Sequence, residues 1–406
     1  MHQLSKQLET EIDAAVAQVL DGCLKLRRHL HAHPEPSGEE LQTSLHLYQL
    51  LGELPADVRM GPEGCGVIAD GGGDGDSRIA LRADIDALRI HDRKQAEYRS
   101  QTEGVMHACG HDAHTAMVYG AAATLTALAE ANRLPWPVPW RTIFQPAEET
   151  ATGAREMVAA GAVEGVDYVL GLHVDPSRQV GEVGVRDGAL TAHCESIHVE
   201  IAGQGGHAAR PHESRDPIAA AAQFINSVYQ FIPRTTDSLD AVVVTFGRIE
   251  GGMAANVIPD SVAVDGTVRT LDARVREQTL EQIRRIAGAV SELTGTEIRL
   301  DFRASIPSVL NDPEVTRIVC QAAEQVVGPD GLHIIARPSM GSEDFACYLE
   351  HTPGSMFRLG TARPDAPPTP LHTPEFDIDE SALAIGVRVL TRAAIALADP
   401  RPDTGS

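Results

Sequence analysis

Ile12, Val16, Leu20 and Leu24 step by four through an otherwise polar stretch, a spacing that predicts an amphipathic helix over residues 8–30. Pro34 and Pro36 end it. Ser37-Gly38-Glu39-Glu40 then reads as a capping box opening a second helix, with Leu41, Leu45 and Tyr48 on one face. The pattern shortens at 66–70 and 78–82, two runs that read as strands. The Gly-rich stretch between them predicts a hairpin turn, because no helix follows it as a phosphate cradle would require. An Ala-rich helix over 113–130, a strand over 141–144, a helix over 153–160 and a strand over 167–172 ending on His173 come next. Strands alternating with helices predict an α/β domain whose functional groups follow the strands.

From about residue 190 the pattern becomes strand, helix, strand, strand, helix, strand: 195–202, 216–231, 240–249, 261–270, 273–293 and 296–303. That order is the ferredoxin-like plan. Helices over 312–327 and 380–397, a short helix opened by 339–345 and a strand over 355–359 then resume the first pattern. The expected organisation is an α/β domain with a mixed sheet in two parts, 1–190 and 305–406. Residues 191–304 form an α+β domain inserted between them. The tail from Asp399 is expected to fray.

The 406 residues carry a net charge of −23, 43% hydrophobic and 22% charged residues, which describes a soluble globular protein. The acidity argues against nucleic acid or an anionic membrane as partner, since both select basic patches. Six scattered cysteines without a C-x-x-C pair suit a reducing compartment better than a disulfide framework. No signal-like or membrane-spanning apolar run occurs, so a cytoplasmic location is expected.

Against this background, residues 106–115 concentrate one thiol, three imidazoles and a carboxylate: Met-His-Ala-Cys-Gly-His-Asp-Ala-His-Thr. Cys109 and His111 are separated only by Gly110, and thiolate and neutral imidazole are good ligands for zinc-like ions. A helix N-terminus capped by polar residues is the competing reading. The strand-end groups Glu149, His173 and His372 bring the candidate ligands to five. Five ligands suit two ions that share a ligand or water and leave room for substrate. Should Glu149 bind metal, the adjacent Glu148 is free to serve as general base. Asp84 and Asp86 leave one strand on the same face, and one of them could orient a ligand histidine. His114 fits better as a capping or supporting group than as a sixth ligand. His31 and His33 are not counted among the ligands.

Taken together, R-A-D-I-D-A-L (82–88), M-H-A-C-G-H-D-A-H-T (106–115), F-Q-P-A-E-E (144–149), G-L-H-V (171–174), G-G-H-A-A-R-P-H (205–212), G-G-M-A-A-N-V-I-P (251–259), M-G-S-E-D-F (340–345) and L-H-T (371–373) run nearly the whole chain in order. This set resembles the dinuclear metallo-aminoacylase and carboxypeptidase family, in its amidohydrolase branch. The resemblance implies a metallopeptidase-like catalytic domain with the insertion as lid and dimerisation domain, and a homodimer or higher homo-oligomer. It implies two divalent ions per subunit, manganese or zinc, with nickel or cobalt also compatible. Cys109, His111, Glu149, His173 and His372 match the metal ligands, Glu148 the general base and Asp86 the carboxylate that orients a ligand. His207 matches a histidine that steadies the oxyanion, and its Gly-rich turn suits a lid group. Asn256 and Arg269 match positions that hold polar substrate groups, although Arg269 could equally pair with an acidic neighbour.

The implied reaction is cleavage of the amide bond of an N-acyl amino acid by a metal-activated water. A dipeptidase or carboxypeptidase on the same site, or a binding protein on this scaffold, are the alternatives. Nucleophilic serine and single-zinc H-E-x-x-H hydrolysis are disfavoured, because neither motif occurs. Arg89 departs from the pattern, which has proline there, and leaves the preference for the acyl side open.

Overall fold

The computed structural model describes residues 5–365 and 367–400; the expectation for the tail falls largely outside them. In chain order the elements are α1 (Lys6–Ala32), α2 (Leu41–Leu51), β1 (Asp57–Met60), β2 (Val67–Gly71), β3 (Ile79–Asp84), α3 (His111–Glu130), β4 (Trp140–Gln145), α4 (Gly153–Ala159), β5 (Tyr168–Gln179), β6 (Val183–Val185) and β7 (Gly188–Ala189). There follow β8 (His193–Ala202), β9 (Gly206–His207), α5 (Pro217–Thr235), β10 (Val242–Glu250), β11 (Val257–Ile258), β12 (Ser261–Thr270), α6 (Ala273–Thr294) and β13 (Glu297–Ile306). The chain closes with β14 (Leu310–Asn311), α7 (Pro313–Gly331), β15 (Leu332–Ile334), α8 (Ala346–Leu349), β16 (Gly354–Ala362) and α9 (Ala382–Leu397). Among the described residues no helix is long and apolar enough to cross a membrane.

Two units result. The first comprises the chain through Leu190, Leu310–Arg337 and the chain from Asp344 on; the second comprises Thr191–Val309 and Pro338–Glu343. In the first, eight strands form one mixed sheet in the order β1-β2-β4-β3-β5-β16-β6-β15. β3 and β5, the strands nearest the ligand candidates, run parallel, as do β4 with β3 and β16 with β5. β3 and β4 are buried along their whole length, as parallel strands covered on both faces must be.

The expected hairpin between β2 and β3 does not form. β4 lies between them, antiparallel to β2 and parallel to β3. The glycines serve packing: a Cβ on Gly71 would stand 2.2 Å from the Trp140 ring.

The second helix also differs from expectation. Its buried face is Thr43, Ser44, Leu47 and Leu51, and Leu41, Leu45 and Tyr48 are exposed. Ser37 does not cap it; the Glu35 carboxylate accepts from the Gln42 and Thr43 amides at 3.2 and 2.7 Å instead. Buried Ser44 sets the rotation by accepting the Gly66 amide at 2.7 Å.

A buried ionic cluster joins α1 to the start of α3 and to the segment before α9. Arg27 lies 2.9 Å from Asp112, 3.1 Å from Asp377 and 3.0 Å from Glu380. His31 Nδ1 sits 2.7 Å from Asp112, while exposed His33 donates from Nδ1 to the His29 carbonyl at 2.9 Å.

The second unit has a four-stranded antiparallel sheet in the order β10-β12-β8-β13, with α5 and α6 supplying its core through Phe224, Val228, Ile283 and Ile286. In strand-sequence terms the order is 2-3-1-4, the ferredoxin-like arrangement. β9 and β11 form a separate two-stranded ribbon.

Candidate metal centre

The groups come from the turn into α3, the loop after β4, the strand β5 and the segment after β16. Gly110, at φ +90°, precedes α3 and turns the chain so that Cys109 and His111 flank it. A side chain there would be strained by φ and would also put its Cβ 2.4 Å from Val174 Cγ2. His111 opens α3, and its Nδ1 donates to Asp86, 2.9 Å from Oδ1. In the neutral ring Nε2 then carries the lone pair, and this buried atom has no hydrogen-bond partner. An orphaned buried acceptor aimed at a thiol and a carboxylate is what a metal ligand needs.

His173 donates from Nδ1 to the Val174 carbonyl at 2.7 Å, and its Nε2 faces Cys109 Sγ at 3.5 Å. It lies inside β5, not at the strand's end. Burial, with Arg358 and His114 nearby, holds its pKa well below the usual range, so it presents the neutral ligand form. His372, a non-glycine residue at φ +60°, is fixed by its amide on the Ala108 carbonyl at 2.8 Å. Its Nε2 lies 3.4 Å from Cys109 Sγ and 3.2 Å from Glu149 Oε1.

The donor atoms form overlapping triplets, each within 4.8 Å: Cys109, His111 and His173; Cys109, Glu149 and His372; and His111, Glu148 and Glu149. The first two share Cys109. The donor set of thiolate, imidazole and carboxylate fits two divalent ions, which these residues would hold. Burial opposes a charged His111, yet Asp84 and Cys109 raise its pKa well above the ordinary value, so positive charge is favoured at this ring while it is disfavoured at His173.

Asp86 sits where an orienting carboxylate is expected: Oδ1 accepts from His111, and Oδ2 accepts the Glu149 amide at 2.9 Å and the Ser37 hydroxyl at 2.7 Å. His114 is not available as a ligand. Its Nδ1 donates to Asp84 at 2.6 Å and its Nε2 accepts the Val174 amide at 2.9 Å. Asp84 is in turn held by buried Arg82, 2.9 Å away, and Arg82 also donates to Gln145 at 2.9 Å and Asp344 at 2.8 Å. Sequence reasoning missed Arg82, Gln145, Asp344 and Ser37 as parts of the support. A charged residue inside an otherwise apolar strand, as Arg82 is, was the available signal.

The remaining candidates lie in the second unit. His207, exposed on β9, pairs in register with Val257, and its Nδ1 accepts the Ala209 amide at 3.0 Å, which leaves the proton of the neutral ring on Nε2. The Asn256 carbonyl accepts the Ala208 amide at 3.2 Å. Arg269 on β12 donates to the Met340 carbonyl at 2.8 Å, a carbonyl in place of the acidic partner that was one open reading.

The profile of peptidase family M20/M25/M40 matches residues 80–396. An N-acetyl-L-cysteine deacetylase from Bacillus subtilis is 38% identical over 384 residues, covering 93% of this chain and 89% of that protein. A thermostable carboxypeptidase from Saccharolobus solfataricus is 34% identical, covering 91% and 94%. Among solved structures, a dinuclear metal-binding M20 peptidase from Bacillus subtilis superimposes with a TM-score of 0.78 at 34% identity, covering 94% of this chain and 99% of that one.

Proposed function

The chain belongs to peptidase family M20/M25/M40 and is a metal-dependent amide hydrolase; within that class we propose that it cleaves N-acyl amino acids to a carboxylate and a free amino acid. The observation that carries this reading is the shared Cys109 at the junction of two ligand triplets, with Glu148 beside them. Cys109, His111, Glu149, His173 and His372 would hold the two ions, manganese or zinc. When bound, the ions acidify water and polarise the acyl carbonyl.

In the proposed sequence Glu148 takes the proton of the attacking water as the new C–O bond forms. It then passes that proton to the amide nitrogen as the C–N bond breaks. Asp86 keeps the His111 proton on Nδ1 and its Nε2 available. From the inserted unit, which we propose acts as lid and dimerisation domain, His207 would donate to the developing oxyanion. Asn256 and Arg269 would hold the carboxylate of the leaving amino acid. The expected setting is a cytoplasmic homo-oligomer.

The similarity to a carboxypeptidase favours one second reading, cleavage of peptides by the same groups. A panel of N-acetyl, N-benzoyl and indole-acetyl amino acids beside plain dipeptides, with enzyme reloaded with manganese or zinc, separates the two. Amino-acid release from the acylated compounds, abolished by chelator, is the expected result. Release from dipeptides alone would replace the proposal with the peptidase reading.

A further inference from the structure

Glu40 is wholly buried, and its Oε1 accepts the Ala147 amide at 2.8 Å. Its other oxygen has no hydrogen-bond partner. This is an odd place for a carboxylate, since desolvation is costly and the nearby backbone amides, Ala147 foremost, repay only part of it. Ala147 is unusual in its own right. Its φ is +53°, in the left-handed region that non-glycine residues seldom adopt.

The turn that Ala147 opens has a demanding task. β4 ends at Gln145, Pro146 follows, and within three residues the chain must present two consecutive glutamates to one cluster. Adjacent side chains ordinarily diverge, yet carboxylate oxygens of Glu148 and Glu149 both lie within 4.8 Å of a His111 ring nitrogen. The left-handed residue bends the backbone enough to allow this. Beyond it the turn is closed by the Ala151 amide on the Glu148 carbonyl at 2.8 Å and the Glu149 amide on Asp86 at 2.9 Å.

We propose that Glu40 is a positioning residue: its carboxyl clamps the Ala147 amide in the left-handed turn and thereby aims Glu149 into the ligand cluster with Glu148 beside it. The same short loop steadies the other side of the site. Ser37 donates to Asp86 at 2.7 Å, and the Ala87 amide donates to the Glu35 carbonyl at 2.9 Å. The segment from Glu35 to Glu40 thus touches both the carboxylate that orients His111 and the turn that carries Glu149. The proposal rests on the roles given above to Glu148 and Glu149.

The test uses the full chain with Glu40→Gln, Glu40→Asp and Glu40→Ala. Leu390→Ala, a cavity in α9, controls for general destabilisation. Cobalt(II) titration followed by absorbance reads the metal cluster without substrate, and hydrogen exchange reads the Ala147 amide. In Glu40→Ala and Glu40→Asp one of two cobalt equivalents should bind about 10- to 100-fold more weakly, as lost supporting contacts to ligands typically cost. The Ala147 amide should lose protection, and kcat on a cleaved N-acyl amino acid should fall by a similar factor with KM little changed. Glu40→Gln keeps an acceptor oxygen and should stay within about threefold of the parent in both affinity and kcat.

Cobalt affinities equal to the parent's in all three variants would overturn the proposal. So would Glu40→Gln as impaired as Glu40→Ala, or the same cobalt loss in Leu390→Ala. If Glu40→Ala does not fold, Glu40→Asp and Glu40→Gln still decide. If the parent cleaves nothing on the panel, the functional reading fails alone, and the titration and exchange still test the clamp.

Discussion

Cys109 belongs to two ligand triplets and His372 to one, and different metal losses follow. Cys109→Ala should lower the content of both ions, toward zero after dialysis, whereas His372→Ala should lose about one equivalent per chain; elemental analysis of the purified variants measures this. Equal losses would separate Cys109 from the shared position. Glu148→Ala should keep both ions and lose kcat by roughly 10^2–10^4-fold, the usual span for a general base. Steady-state rates on a cleaved substrate measure the second prediction. At this scale much could be read from the residues. Cys109-Gly110-His111 is local chemistry, and a carboxylate pair such as Glu148–Glu149 already suggests one ligand and one base. What could not be read is who holds whom. His114 reads from the sequence as a supporting group, but nothing local says that Asp84 and the Val174 amide, 60 residues on, are what occupy its two nitrogens.

Among the elements, the entry to α3 is the most constrained. Gly110→Ala would place a side chain at φ +90° and a Cβ 2.4 Å from Val174. The left-handed backbone alone costs about 1–2 kcal/mol, and crowding a packed core adds about 1–3 kcal/mol. A lower Tm and weaker metal binding are expected together, by calorimetry and metal titration. The helices and most strands were legible because their periods are local. The misreadings are tertiary in origin. Ser37-Gly38-Glu39-Glu40 has the composition of a capping box, but Ser37 is drawn to Asp86 and Glu40 to Ala147, so Glu35 takes the cap. The glycines after β2 look like a hairpin because nothing nearby announces that β4, some 70 residues later, pairs with both flanking strands.

For the molecule as a whole, the cluster around Arg27 sets the acid limit. Asp112 and Asp92 are buried and Asp377 is partly so, which alone would raise their pKa values. Arg27 beside Asp112 and Asp377, and His31 at 3.5 Å from Asp92 together with the Ser100 and Lys94 amides that Asp92 accepts, instead hold all three below the usual range. Their folded pKa values are thus lower than the unfolded value of about 3.9. The stability they contribute is present above that value and is lost as pH falls through the folded values. Tm measured from pH 7 downward should change little from this cluster until about pH 4 and then drop steeply; Arg27→Met should flatten that drop. A Tm that declines evenly from pH 7 would show that other groups control it.

The sheet order carries one more consequence, for the chain as it leaves the ribosome. β16, from Gly354 to Ala362, lies between β5 and β6, so most of the chain must be synthesised before those two strands gain a common neighbour. Until then β5 keeps an open, apolar edge of the kind that invites pairing with other chains. The four strands of the inserted sheet, by contrast, are all translated by Ile306. Synthesis therefore supplies every strand of the insertion's sheet first, and a chain arrested between Glu343 and Gly354 would hold the whole guest in an unfinished host.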